Sequence, residues 1–264
     1  MKKIICLALV LVMALSVVAC FDTPDDTTAS TAEPSTTLPT TSTTVASTPN
    51  DEDTVTKSEG VMSWAEYIAA ELESEVVIEA YVQGKQNWWF NSEKNTGLGT
   101  FYLQDGIGGY FLYELACTEE EYNALTVGTK VRVTGYKAEW SGEIEIIDAT
   151  VEVLEGHYVA EPIDVTDKLG TEELVGYQNM LVAFNGLTVV SIEYKNGTPG
   201  NDIYVTLSYN GANYDFCVES YLTGPETDLY ALVGTLQAGD VVDVTGFAYW
   251  YNGINTHITG VTVK

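Results

Sequence analysis

The chain has 264 residues, 38 acidic against 11 basic, and a formal net charge of −27. Binding nucleic acid by counterion release needs Lys and Arg gathered on one face; Arg132 is the lone arginine, so nucleic acid is the less favoured partner. Two histidines, His157 and His257, and four cysteines without a Cys-x-x-Cys pair argue against zinc or thiol-redox chemistry, and no metal or cofactor is expected.

From the N-terminus, Met1-Lys2-Lys3 leads into the apolar run Ile4 to Val18 and ends at Ala19-Cys20, the pattern of a secretory signal over residues 1–19. The run is shorter than the ~20 residues of a membrane span. Val17-Val18-Ala19-Cys20 resembles the lipobox of bacterial lipoproteins. The resemblance implies cleavage before Cys20, lipidation of its thiol, and an exported chain anchored to the outer face of the cytoplasmic membrane, at the cell surface. Two acyl chains hold a protein stably on a bilayer where one does not.

Residues 20–60 form a separate class of composition. Residues 21–60 hold thirteen threonines and four of the seven prolines, among Ser, Ala and Asp. Such a stretch buries too little apolar surface to offset its ordering entropy, so a disordered tether is expected, with a reach of about 35 Å. Without Lys2 and Lys3, nine basic residues face 38 acidic ones, a net −29. That surplus reads first as a solubility trait of an exported protein.

The remainder divides into two modules, 61–156 and 157–264. Gly128-Thr129-Lys130-Val131-Arg132-Val133-Thr134-Gly135-Tyr136 is echoed 111 positions later by Gly239-Asp240-Val241-Val242-Asp243-Val244-Thr245-Gly246-Phe247. Gly142 and Gly253 keep the same offset, which marks one unit used twice. Ser63 caps a short helix ahead of the first module, with Trp64, Ile68 and Leu72 on one face. Strands are predicted near 75–83, 99–105, 109–114, 129–137 and 143–154. Thr118 begins a helix whose first turn is Glu119-Glu120-Glu121, where the helix dipole favours negative charge. The second module repeats this order, with strands near 179–191, 202–209, 212–219, 240–248 and 254–263 and a helix or turn around 226–232. Asn210-Gly211 supplies a hairpin turn there, and Asp105-Gly106 a similar turn in the first module.

Five strands with a helix between the third and fourth follow the order of an OB-fold. Both repeats resemble the bacterial OB-fold modules found in exported lipoproteins and appended to secreted nucleases. The residues that carry the likeness are Gly128, Val131, Val133, Thr134, Gly135 and Gly142, and Gly239, Val242, Val244, Thr245, Gly246 and Gly253. The expected fold is therefore mainly β, two five-stranded OB-fold-like barrels in tandem.

OB-folds bind through the face of strands two and three and through the one-to-two and four-to-five loops. Here those loops carry Trp88, Trp89, Tyr136 and Trp140 in the first module, and Tyr194, Tyr249, Trp250 and Tyr251 in the second. These eight are the candidate ligand-binding residues, since flat rings stack on sugars, bases or peptide side chains; the competing reading is that about half plug the barrels. Alternation points one of Trp88 and Trp89 outward, not both. An oligosaccharide or a protein segment is the favoured ligand.

Catalysis is not expected. Glu143 and Glu145 share one face of the fifth strand and Asp148 the other, but no spacing selects a catalytic carboxylate pair, and no EF-hand, phosphate loop, nucleophile elbow or triad appears. Lys130 and Arg132 lie on one face opposite Val241 and Asp243 in the repeat, so a basic stripe is not duplicated. Cys117 and Cys217 read as small buried side chains, with a bridge between them allowed by an oxidising compartment. An accessory to extracellular nucleic acid and a structural module assembling with other surface proteins are the alternative functions.

Overall fold

The computed structural model describes residues 57–264. Residues 1–56, on which the expected signal sequence, Cys20 and most of the expected tether fall, lie outside the described residues.

The helix α1 (Trp64–Ala69) opens with a capping box in which Ser63 and Glu66 satisfy each other's backbone N–H groups. It stops short of Leu72 and buries Tyr67, leaving Ile68 and Leu72 about half exposed, unlike the Trp64-Ile68-Leu72 face expected from spacing. The cause is local. Tyr67 packs between Trp64 and Tyr110 at 5.6 and 4.9 Å, and the buried Lys137 ammonium donates to the carbonyls of Tyr67, Ile68 and Ala70, closing the helix C-terminus.

The first module contains β1 (Glu75–Lys85), β2 (Trp89–Asn91), β3 (Thr96–Gln104), β4 (Gly109–Ala116), α2 (Glu119–Ala124), β5 (Thr129–Trp140) and β6 (Glu143–His157). β1 pairs antiparallel with β3 and β5, β3 with β4, and β5 with β6. A parallel pairing of β4 with β6, Phe111 opposite Glu145, closes the circuit. The second module adds β7 (Ile163–Asp164), then β8 (Leu181–Tyr194), β9 (Ile203–Tyr209), β10 (Ala212–Val218), α3 (Asp228–Val233), β11 (Val241–Phe247) and β12 (Asn255–Val263). It closes the same way, with β10 parallel to β12 and the other contacts of the circuit antiparallel, while the short β7 lies parallel to β8 at the edge. Both are five-stranded circuits with the strand order and helix placement of an OB-fold.

Period-two alternation builds each core. Val76, Ile78, Ala80, Phe101, Leu103, Val131 and Val133 face the interior of barrel one, and Phe184, Leu187, Val205, Leu207, Phe216, Val242 and Val244 that of barrel two. The repeated glycines serve close approach. A Cβ on Gly246 would sit 2.3 Å from the His257 carbonyl oxygen, and one on Gly135 would sit 2.7 Å from Ile146 Cγ2. Both lie at a register shift against the following strand. Ser141-Gly142 and Asn252-Gly253 hold positive φ at both residues, which the tight turns at the barrel ends require. Asn210-Gly211 does the same in the β9–β10 hairpin. Cys117 and Cys217 are buried, unbridged and in different barrels.

Candidate binding surface at the module seam

The two barrels do not stand apart like beads. Tyr102 and Phe111, on the outer side of β3 and β4, are sealed under Phe247 and Tyr249 of the second module. Tyr102 stacks on Phe247 at 4.2 Å and 12°, and Phe111 meets Tyr249 edge-on at 5.3 Å. Gly84 lies directly beneath Phe247, and Gly109 against the backbone of Asn179 and Met180, so neither position has room for a side chain. Backbone and amide bonds stitch the margins. Asn87 N–H donates to the Tyr221 carbonyl at 2.8 Å, Asn252 N–H to Ser141 at 2.7 Å, and Leu181 N–H to Gln104 Oε1 at 2.8 Å.

Buried polar groups sit inside this seam. Gln86 Nε2 donates to the Tyr102 hydroxyl at 3.0 Å, and the same hydroxyl shares a 2.6 Å hydrogen bond with His257 Nδ1. His257 stacks on Tyr249 at 4.1 Å, and its complete burial lowers its pKa to about 3, so the ring is neutral. Glu143 is fully buried. Burial, with Glu145 adding to it, lifts its pKa to about 8 against the pull of hydrogen bonds from Trp250 N–H, Asn179 and Gln178. Its Oε2 accepts from Trp250 N–H at 2.8 Å while Oε1 has no partner, which suits a protonated acid. Burial and the Glu114 charge raise Glu145 to about 7.

The eight predicted aromatics separate into two groups. Trp88 packs on the first core and donates its indole N–H to the Cys117 carbonyl at 3.1 Å, whereas its neighbour Trp89 is 44% exposed. Tyr194 packs against Tyr230 beside α3, and Tyr249 belongs to the seam. These three are turned into packing, because each ring has an apolar wall within reach of its own strand. Tyr136, Trp140 and Tyr251 are exposed at 45, 53 and 50%, and Trp250 is half-buried.

Trp140 and Tyr251 occupy the same position of the repeat and meet across the seam, ring centres 5.2 Å apart. Beside them, Trp250 and Ile254 line an open groove of about 340 Å³ with Tyr214, Leu174, Val175 and Glu172. The segment 170–175, which precedes barrel two, supplies the wall that sequence reasoning missed; its Leu-Val pair carried no strand or helix period to reveal it.

The basic side chains are committed elsewhere. Lys130 and Arg132 clasp the wholly buried Glu79 at 3.1 and 2.9 Å. Lys57, Lys94, Lys168, Lys195 and Lys264 are each ion-paired, Lys85 lies over the Tyr122 ring and donates to its carbonyl, and Lys137 caps α1. All nine basic residues of the described part are thereby engaged. One cluster of potential metal ligands, Asp202, Cys217 and Glu219, brings its ligand atoms within 4.8 Å of each other, but Lys195 and Ser220 already satisfy Asp202. No helix among the described residues is long and apolar enough to cross a membrane.

No protein-family model and no curated protein matches the chain. Among solved structures, a murine DNA-binding protein bound with double-stranded DNA aligns over 71% of this chain and 94% of its own, at 11% identity and TM-score 0.35. The Ifi202 HINa domain in complex with 20-bp double-stranded DNA aligns over 72% of this chain and 98% of its own, at 11% identity and TM-score 0.33. A replication protein A heterotrimer bound to single-stranded DNA aligns over 73% of this chain and 49% of its own, at 14% identity and TM-score 0.32.

Proposed function

We propose that this chain is a non-enzymatic binding protein, exported and anchored through lipidated Cys20, whose tandem OB-folds take an oligosaccharide or a protein segment at the aromatic seam. The observation that carries it is the exposed Trp140–Tyr251 pair, contributed by equivalent hairpins of both barrels beside a groove. A half-exposed indole costs solvation that burial in its own barrel would have recovered, and a flat ring pair suits stacking on a ligand. Glu143 and Glu145, the carboxylates whose pKa values suit acid–base work, are 0 and 6% exposed and shut inside the seam, out of a substrate's reach.

The test is an array of neutral oligosaccharides and peptides probed with the mature chain and with Trp140→Ala and Tyr251→Ala. Loss of binding in both variants is expected. Unchanged binding of every hit would refute the seam as the site. Anchoring is read separately, by mass spectrometry of the mature N-terminus and by Cys20→Ser, which should release the protein from the membrane fraction.

Nucleic acid is the second reading, favoured by the structural neighbours described as DNA complexes. Against it stand the engaged cations, because phosphate contacts would have to displace existing ion pairs. Single-stranded DNA belongs in the same array. An affinity that falls steeply with salt would establish it over the first reading.

A further inference from the structure

Building on the seam as a binding surface, we infer that the groove beside it, walled by second-module residues from Gly170 to Ile254, receives a lysine or arginine side chain of a partner protein. The lining divides by chemistry. Leu174, Val175 and Ile254 offer an apolar wall for a (CH2)n stem, and Trp250 and Tyr214 offer ring faces. Glu172 lines the same space, is exposed, and has no ion-pair partner among the described residues; the nearby Lys168 is held by Asp167 and Glu173. An indole, a phenol and an uncompensated carboxylate around an aliphatic slot attract an ammonium or guanidinium and offer nothing to an anion. The wider field agrees. Seven of the nine basic residues of the described part are ion-paired, and the surplus of acidic groups leaves a negative potential that draws a basic partner in and repels a polyanion. A neutral sugar could stack on the rings, but it would leave the Glu172 charge without a counterpart.

The experiment titrates the mature chain with an acetylated, amidated Gly-Lys-Gly peptide and with the same peptide carrying norleucine, which keeps the stem and removes the charge. Amide and indole NMR shifts report the site. The lysine peptide is expected to shift the Trp250 indole and the Glu172 amide, and the norleucine peptide to bind about tenfold more weakly. Glu172→Gln should weaken the lysine peptide about threefold to tenfold, while Glu226→Gln, an exposed carboxylate outside the groove, should leave it unchanged. Equal binding of the two peptides, or equal loss in the two glutamine variants, overturns the inference, since stem burial or diffuse charge would then explain everything. A neutral oligosaccharide shifting Trp250 with no response to the lysine peptide also overturns it, yet leaves the seam reading intact. That reading fails only if Trp140→Ala and Tyr251→Ala are silent on the array.

Discussion

The fourth strands of the two barrels share a sequence and differ in what their outer faces do. Tyr136 of β5 is 45% exposed, and its repeat partner Phe247 of β11 is 2% exposed under Tyr102. Arg132 of β5 holds the buried Glu79 and the exposed Glu152, whereas Asp243 of β11 carries the opposite charge, paired with Lys264 and accepting the Gly186 N–H. Behind the turns, Glu143 is an acid sealed in the seam and Ile254 an apolar wall of the groove. The inward positions agree because both barrels solve the same packing problem. The outward positions diverge because the contact is head-to-tail: one module contributes its β3–β4 face and the other its β11–β12 face, so apart from the turn residues that meet each other, Trp140 with Tyr251 and Ser141 with Asn252, equivalent residues meet different neighbours.

Matched substitutions probe that contrast. Phe247→Ala should lower stability by about 4 kcal/mol, through lost burial and an unfilled seam, and Tyr136→Ala by no more than about 0.5 kcal/mol in urea unfolding. If the two losses are alike, the seam is not a packed interface. Gly246→Ala should lose about 3 kcal/mol, since its Cβ would sit 2.3 Å from the His257 carbonyl oxygen, and Gly135→Ala about 2 kcal/mol, because the backbone oxygen it meets, that of Ile147, is farther away at 2.9 Å; thermal midpoints will rank them. Arg132→Ala strips a buried carboxylate of one of its two cations and should cost about 2–3 kcal/mol, while Asp243→Ala, near the surface, should stay within about 1 kcal/mol.

The contrast extends to a pH slope. Native Glu143 titrates near 8 against 4.5 for the free side chain, so between these values the folded state holds a proton that the unfolded chain has released. Its contribution to stability is therefore greatest below about pH 4.5, declines as pH rises, and levels off above 8. Glu143→Gln should flatten that slope while keeping an acceptor for Trp250 N–H, as seen by comparing urea midpoints at acid and alkaline pH. Glu79 runs the other way. Burial alone would raise its pKa, but hydrogen bonds from Ser58, Arg132 and Lys130 outweigh it and hold the group near 2, so its contribution is complete above 4.5 and lost as pH falls toward 2.

Strand order, the helix α2 and the capping residues Ser63 and Thr118 were legible because alternation, turn chemistry and caps are local signals, while α3 reads as either a helix or a turn. The matching glycines identified the barrel corners for the same reason. The seam was not legible. Tyr102 and Phe247 lie on the side of their strands that alternation assigns to solvent, Tyr249 follows in the β11–β12 connection, and nothing within a strand announces that another barrel will cover it. That is why Tyr249 read as a ligand contact. Trp88 was misleading in another way, since the cleft left by Gly97 that receives its ring is formed by a strand eight residues further on. Trp140 and Tyr251 read as exposed loop aromatics one at a time, and only the head-to-tail contact brings them together.

The glycine floors at Gly84 and Gly109 have an evolutionary corollary. A barrel that joins by a ball-and-socket face, with bare backbone on one side and stacked rings on the other, is not an interchangeable part. Copying the unit once more, or shuffling one copy into another gene, would expose Tyr102 and Phe111 on one product and Phe247, Tyr249 and His257 on the other. Descendants of this duplication should therefore inherit the two copies together, with Gly84 and Gly109 resisting change as firmly as the barrel cores.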